Sequence, residues 1–234
     1  GLDLTPAEWE RLSGAMYRLE VSPAMRVVQM AGPALDRCNV GVYNCAAAPV
    51  IDIQSFPEAL YILMQGTGFG FSVEEKFISN LPRIHKWRNA EPVTVVVEDT
   101  TEGWCDAYRR VLDLLWDGRD FFADVSKVRP KGAKLKTKGG RASGPGPLLE
   151  LFSFARNMFK ARSGKYLEDT DVHRLMCFTG RIVQVGGVRR AATISLSDLS
   201  SVGMQKIKIG AWYEDKTYWI DGKYLTMANN SAVY

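Results

Sequence analysis

Residues 42–74 read VYNCAAAPVIDIQSFPEALYILMQGTGFGFSVE, and this stretch decides the fold. VYNCAAAPVID (42–52) is apolar and β-compatible, as a buried strand should be. Ser55 and Glu58 then form a capping box, which opens the helix SFPEALYILMQG (55–66). That helix is apolar nearly all round, so it is expected to be buried. The glycine cluster GTGFG (66–70) stops it, and FSVE (71–74) reads as a strand. Strand, buried helix and strand in succession argue an α/β fold.

The alternation continues on both sides. Upstream, Thr5 and Glu8 make a capping box around Pro6, and Leu12, Met16 and Leu19 follow at helical spacing. SPAMRVVQMAG (22–32) reads as a short extended stretch. Downstream, the β-branched run in PVTVVVEDT (92–100) predicts a strand. A helix over 102–116 places Trp104, Tyr108, Val111, Leu112 and Leu115 on one face. SKVRPKGAKLKTKGGRASGPGP (126–147) is rich in Lys, Gly and Pro and is expected to be loop, with a short strand near AKLK (133–136). Amphipathic helices follow over 147–161 and 169–185, and GGVRRAATISLSDL (186–199) is a glycine turn entering a strand. MANNSAVY (227–234) carries no stop signal and reads as a break within a domain.

The bulk numbers set bounds. With 234 residues, 46% apolar and 24% charged, the chain is of ordinary globular composition and holds one large or two small domains. A net charge of +4 is compatible with a phosphate-bearing ligand without requiring one. The opening GLDLTPAEWE has acidic residues where a secretory leader would be apolar, and no apolar run is long enough to span a bilayer. Cys38, Cys45, Cys105 and Cys177 form no CxxC pair and no metal-ligand spacing with His85 or His173. The expectation is a reducing cytosol, no membrane and no metal.

Four features bear on chemistry. Cys45 is either a buried, inert thiol or a redox thiol that faces a pocket and pairs with a second cysteine. The glycines 66, 68 and 70 are either a helix cap with a tight turn or a place where backbone approaches a ligand closely. They are no dinucleotide fingerprint, because the order is helix to strand, and no Gly-Lys-Ser/Thr follows. Lys127, Arg129, Lys131, Lys134, Lys136, Lys138 and Arg141 form a basic run that is either a solvated loop or a phosphate contact. No aromatic residue interleaves it, so direct nucleic-acid binding is discounted. Gly186-Gly187-Val188-Arg189-Arg190 is either a helix cap with solvated charges or a loop that offers guanidinium groups to a base or phosphate. His173, Cys105 and Cys177 sit on helices and are assigned no role.

Taken in order, SPAMRVVQMAGPALDR, YNCAAAP, EALYILMQGTGFGFSVE, SKVRPKGAKLKTKGGRASGPGPL, VGGVRRAATISLSDLS and MANNSAVY resemble the large chain of ribonucleotide reductases. The resemblance is to the adenosylcobalamin-dependent branch in its monomeric, triphosphate-reducing form. It covers roughly residues 20–234. It implies an α/β fold, the incomplete first half-barrel of a ten-stranded α/β barrel. Residues 1–20 would be a helix leading into the barrel, and residues 21–234 its first part with the specificity-effector region.

The resemblance also implies roles. Cys45 matches the strand cysteine that reduces the substrate and ends in a disulfide. Asn44 and Cys45 match the pair that lines the ribose, Ser22 a hydroxyl that touches substrate, and Gly68 a glycine whose backbone approaches it. Asp52, Ile53 and Gln54 match the start of the site for a dNTP effector. Gly187 and Arg189 lie in a stretch (186–195) that matches the loop between effector and substrate, with Arg189 reading the base. Adenosylcobalamin would supply the radical to the complete enzyme, and a thioredoxin-like donor would re-reduce the cysteines. The family's radical-cysteine loop, an Asn-Pro-Cys-Gly-Glu-like string, is absent from this sequence. A second polypeptide or a continuation would have to complete the barrel. The alternative is a non-catalytic, nucleotide-binding or regulatory half-barrel acting with a partner chain.

Overall fold

The computed structural model describes residues 3–134, 141–185, 192–208 and 223–233. The chain divides into two compact units, residues 1–43 and 44–234. The first holds α1 (Pro6–Tyr17), α2 (Met25–Met30), α3 (Pro33–Arg37) and a 3-10 turn over Asn39–Val42. The α1 capping box forms as the sequence predicts: the Thr5 hydroxyl accepts from the Glu8 amide, and the Glu8 carboxylate accepts from the Thr5 amide at 2.8 Å. SPAMRVVQMAG is not simply extended, because Met25–Met30 coil into a single helical stretch after Pro23.

The second unit is built on parallel strands. In chain order it runs β1 (Cys45–Pro49), α4 (Ser55–Met64), β2 (Gly68–Ser72), α5 (Glu75–Ile78), β3 (Val93–Val96), α6 (Thr101–Trp116), β4 (Phe121–Asp124), α7 (Gly146–Ala161), α8 (Asp169–Val185), β5 (Thr193–Asp198), α9 (Val202–Lys206), a 3-10 turn (Lys223–Met227) and β6 (Ala228–Val233). The main sheet has the order β1-β2-β5-β6, all parallel. Between β2 and β5 the chain makes an excursion that contains a separate parallel pair, β3 and β4, joined through α6.

Four further sequence expectations need correction. No Ser55–Glu58 box forms: the Asp52 carboxylate accepts from the Ser55 amide at 2.9 Å and from its hydroxyl at 3.0 Å, so the residue three earlier takes the capping part. The glycine cluster is itself strand from Gly68 onward. β1 is not buried, because it lies at a sheet edge with Cys45, Ala47 and Ala48 exposed. The expected strand near AKLK is seen only as an antiparallel bridge from Lys134 to Arg141, with residues 135–140 outside the described part. A further strand, β4, was not expected. The two long helices stand where their periodicity placed them.

Alternation explains which face of the main sheet is buried. Phe69, Phe71 and Val73 of the β2 segment point into the core, where they meet Phe56, Leu60 and Leu63 of α4 and Val172, Leu175 and Met176 of α8. The same core runs on through Tyr108, Leu112 and Leu115 of α6 to Leu148, Leu151 and Phe152 of α7. Phe152 stacks on Tyr108 at 6.2 Å and meets Phe121 edge-on at 5.8 Å, so one ring joins α6, α7 and β4. Replacing Phe152 with Ala should cost about 3–5 kcal/mol of stability, the usual range for deleting a buried ring. Urea unfolding followed by circular dichroism measures this, and a loss below about 1 kcal/mol would mean that the α6–α7 layer is not packed as described.

Candidate functional site

Because the four main strands are parallel, their starts lie together at one end of the sheet. The register sets Cys45 opposite Gly68, Phe69 opposite Thr193, and Thr193 opposite Ala228. The Gly68 amide donates to the carbonyl of Asn44 at 2.9 Å, and the Phe69 amide to the carbonyl of Ala192 at 3.0 Å. A Cβ placed on Gly68 would lie 3.5 Å from both of those carbonyl oxygens and 3.8 Å from the Cys45 sulfur. The glycine thus leaves a space beside the thiol that any side chain would fill. Cys45 and Asn44 are exposed.

The face of the sheet turned away from the core is poor in side chains. Along one rung stand Ala47, Gly70, Ile194 and Asn229. A Cβ on Gly70 would lie 3.1 Å from the Ile194 Cγ2 atom and 3.2 Å from the Ala47 Cβ, so the rung closes only around a glycine. Ile194 is 41% exposed, which is unusual for an apolar side chain in the middle of a sheet, and Asn229 and Ser231 are exposed beside it. An open, small-residue face with a thiol at its edge is a surface on which a flat or sugar-sized group could lie close to backbone.

The expected effector residues stand at the other end. Asp52, Ile53 and Gln54 stand seven to nine residues after Cys45, beyond the end of β1 at Pro49, a strand that rises roughly 3.3 Å per residue. Asp52 caps α4 and borders a small cleft of about 140 Å³ with Pro49, Ser55, Phe69 and Met176. Gln54 borders a larger cleft of about 390 Å³ lined by Glu58, Tyr61, Cys105, Asp106 and Arg109 on α4 and α6. Arg109 bonds the Gln54 side-chain oxygen and pairs with Asp113 at 3.1 Å. Ser22 lies in the first unit, where its hydroxyl donates to the Pro23 carbonyl at 3.1 Å. Gly187 and Arg189 lie outside the described residues. Part of the basic run is paired: Lys127 with Glu98, and Arg129 with Asp99 at 2.7 Å.

One polar cluster escaped the sequence reading. His173 is fully buried; its Nδ1 lies 2.9 Å from the Ser195 hydroxyl and its Nε2 3.4 Å from the Cys177 sulfur. Burial pushes its imidazole down to about 3, and the charges of Lys208 and Arg174 act in the same direction, so it is neutral. Burial likewise pushes the Cys177 thiol up to about 12. The available signal was the four-residue spacing of His173 and Cys177, which sets both on one helix face. Among the described residues no group of three or more His, Cys, Asp or Glu is arranged to hold a metal ion, and no helix is long and apolar enough to cross a membrane.

Comparison with known proteins agrees with this architecture. Residues 78–158, which hold β3, α6, β4 and most of α7, match the family described as B12-dependent ribonucleotide reductase, insertion domain. The adenosylcobalamin-dependent ribonucleoside-triphosphate reductase of Lactobacillus acidophilus is 29% identical over 185 residues, covering 62% of this chain and 25% of that protein. The reductase of the same name from Euglena gracilis is 35% identical over 104 residues, covering 44% of this chain and 14% of that protein. A crystal structure of a B12-dependent (class II) ribonucleotide reductase superposes with a TM-score of 0.75 at 20% identity, over 99% of this chain and 39% of the other. The chain therefore spans about a quarter of the length of the first of these relatives. The resemblance read from the sequence holds, and the α/β fold is that of part of the class II reductase barrel.

The exposures of the cysteines give a direct check. Burial pushes the Cys105 thiol up to about 12, as it does that of Cys177. At pH 8 each is then ionised to roughly one part in ten thousand. Iodoacetamide should modify exposed Cys45 far faster than either, as read by peptide mass spectrometry. Modification of Cys177 or Cys105 ahead of Cys45 would contradict the placement.

Proposed function

We propose that this chain is part of an adenosylcobalamin-dependent ribonucleotide reductase, which reduces ribonucleoside triphosphates to 2′-deoxyribonucleotides. The observation that carries the reading is the Cys45 thiol, exposed and beside the side-chain-free Gly68, on the open face of a sheet like that of the class II reductases. The activity comes from the names of the relatives, which are triphosphate reductases.

In this reading the ribose lies over Gly68 with its 2′ carbon toward Cys45, and Asn44 lines it beside the thiol. The 2′-hydroxyl leaves as water. Cys45 and a second cysteine outside this chain give up two protons and two electrons, which replace the 2′-hydroxyl by hydrogen and release it as water, and join as a disulfide that a thioredoxin-like dithiol in the cytoplasm reduces again. The chain's part is to place a thiol where water is excluded once the barrel is complete. Adenosylcobalamin, when bound to the complete enzyme, supplies the radical. Neither cleft fits it: the larger, at about 390 Å³, is too small for a corrin with its appended nucleotide.

The effector reading places a dNTP at Asp52, Ile53 and Gln54. The cleft between α4 and α6 supports it, because Gln54 lines the cleft and α6 lies in the stretch that matches the insertion domain. Glu58, Glu102 and Asp106 line the same cleft and repel phosphate, so it suits the nucleoside end. Arg189, which lies between α8 and β5 in the sequence, would read the effector's choice of base and pass it to the substrate.

Two substitutions test this in the enzyme completed by the rest of its barrel. Cys45→Ser should abolish multiple turnover while leaving substrate binding within about threefold, a difference of less than 1 kcal/mol. Normal turnover in that variant would refute the role. Arg189→Ala should flatten the dependence of substrate choice on effector, measured by competing two substrates, more than it slows total reduction. Unchanged selectivity would remove Arg189 from the site. Tight nucleotide binding without turnover in the completed wild-type protein would favour a regulatory half-barrel.

A further inference from the structure

His173 occupies a distinctive place. It sits on α8 beneath the seam between β2 and β5, with its ring 5.8 Å from that of Phe71 on β2 and its Nδ1 2.9 Å from the Ser195 hydroxyl on β5. One side chain therefore touches both strands of the seam. Cys177, one turn further along α8, takes up the second ring nitrogen at 3.4 Å. A neutral imidazole has one donor and one acceptor nitrogen, so the chain Cys177–His173–Ser195 is satisfied in either direction of proton donation. All three residues are fully buried, so removing the ring takes this partner from the Ser195 hydroxyl with no solvent there to replace it.

The same seam carries the candidate site on its other face. Two residues before Ile194, the Ala192 carbonyl accepts from the Phe69 amide and borders the space above Gly68, beside the Cys45 sulfur. A parallel strand pair has no hairpin to fix its register, so register must come from side chains. The directional part of the His173 contact is the buried hydrogen bond to Ser195 on β5, and its hold on β2 is the packing of its ring on Phe71. Gly180, further along α8, adds steric closeness, since a Cβ there would lie 3.5 Å from the Thr193 Cγ2 atom, but no direction.

We propose that His173 is a positioning residue: its hydrogen bond to Ser195 fixes β5 along α8 while its ring packs on Phe71 of β2, and together these hold the Ala192 carbonyl and Gly68 in place beside the Cys45 thiol. It touches no substrate. The importance of that position rests on the reading of Cys45 and Gly68 as the substrate floor, but the register itself is measurable in this chain alone.

The test is amide hydrogen exchange of the 234-residue chain, resolved by NMR, on His173→Phe, His173→Gln and Ser195→Ala. His173→Phe keeps a ring against Phe71 and drops the hydrogen bonds; His173→Gln keeps a donor and an acceptor; Ser195→Ala leaves the ring untouched. Exchange at the Phe69 amide, which bonds across the seam, should rise at least tenfold in His173→Phe and Ser195→Ala. Exchange at the Gly68 amide, which bonds to Asn44 on the β1 side, should change less than threefold, and His173→Gln should restore most of the Phe69 protection. Equal acceleration at Phe69 and Gly68 would reveal general destabilisation and overturn the proposal, as would unchanged exchange at Phe69. Neither result touches the role of Cys45, which the turnover of Cys45→Ser tests separately.

Discussion

The fold rests on the parallel register of β1, β2 and β5, because that register puts two opposite requirements on two faces of one sheet. On one face Phe69 and Phe71 bury against α4 and α8. On the other, Gly68 leaves the backbone open beside Cys45, and Gly70 lets Ala47 and Ile194 close over it. Alternation along β2, written as GFGFS, meets both at once. A slip of one residue would drive the phenylalanines onto the open face and the glycines into the core.

This constraint separates the candidate sites in space. Strand starts carry Cys45, Gly68 and Ala192, while the segment after β1 carries Asp52 and Gln54. Helix α4 joins β1 to β2, and α8 precedes β5 in the chain. In the proposed reading this is a workable division: chemistry at one end, an effector pocket against α6 at the other, and a shared set of rigid elements between them. The excursion of β3, α6 and β4 has its own aromatic packing around Phe152, and it supplies one wall of the larger cleft.

Much of this was legible in the sequence where the signal is local. The Thr5–Glu8 box and the long amphipathic helices are set by neighbours within a turn or two, and they stand as read. Cys45 and Gly68 were singled out separately, and the register brings them face to face. The misreadings arise where a non-local partner decides. Asp52 displaces the Ser55–Glu58 box because the chain leaving β1 turns it back onto α4. The strand of Cys45 has a core strand's composition, yet it lies at a sheet edge, which composition does not encode. The glycine run looked like a turn, although its alternation with Phe69 and Phe71 was the mark of a strand that is bare on one side. His173 drew no role because its partner, Ser195, lies 22 residues away on another element.

The central claim is that the sugar of a ribonucleotide lies on the open face, over Gly68 and against the sulfur of Cys45. A crystal structure of the completed enzyme with a bound ribonucleoside triphosphate measures this most directly. The account expects the 2′ carbon in van der Waals contact with the Cys45 sulfur and the ribose ring above the Gly68 backbone. A nucleotide whose sugar sits at the Asp52 end of the sheet, with Cys45 facing only protein, would contradict it.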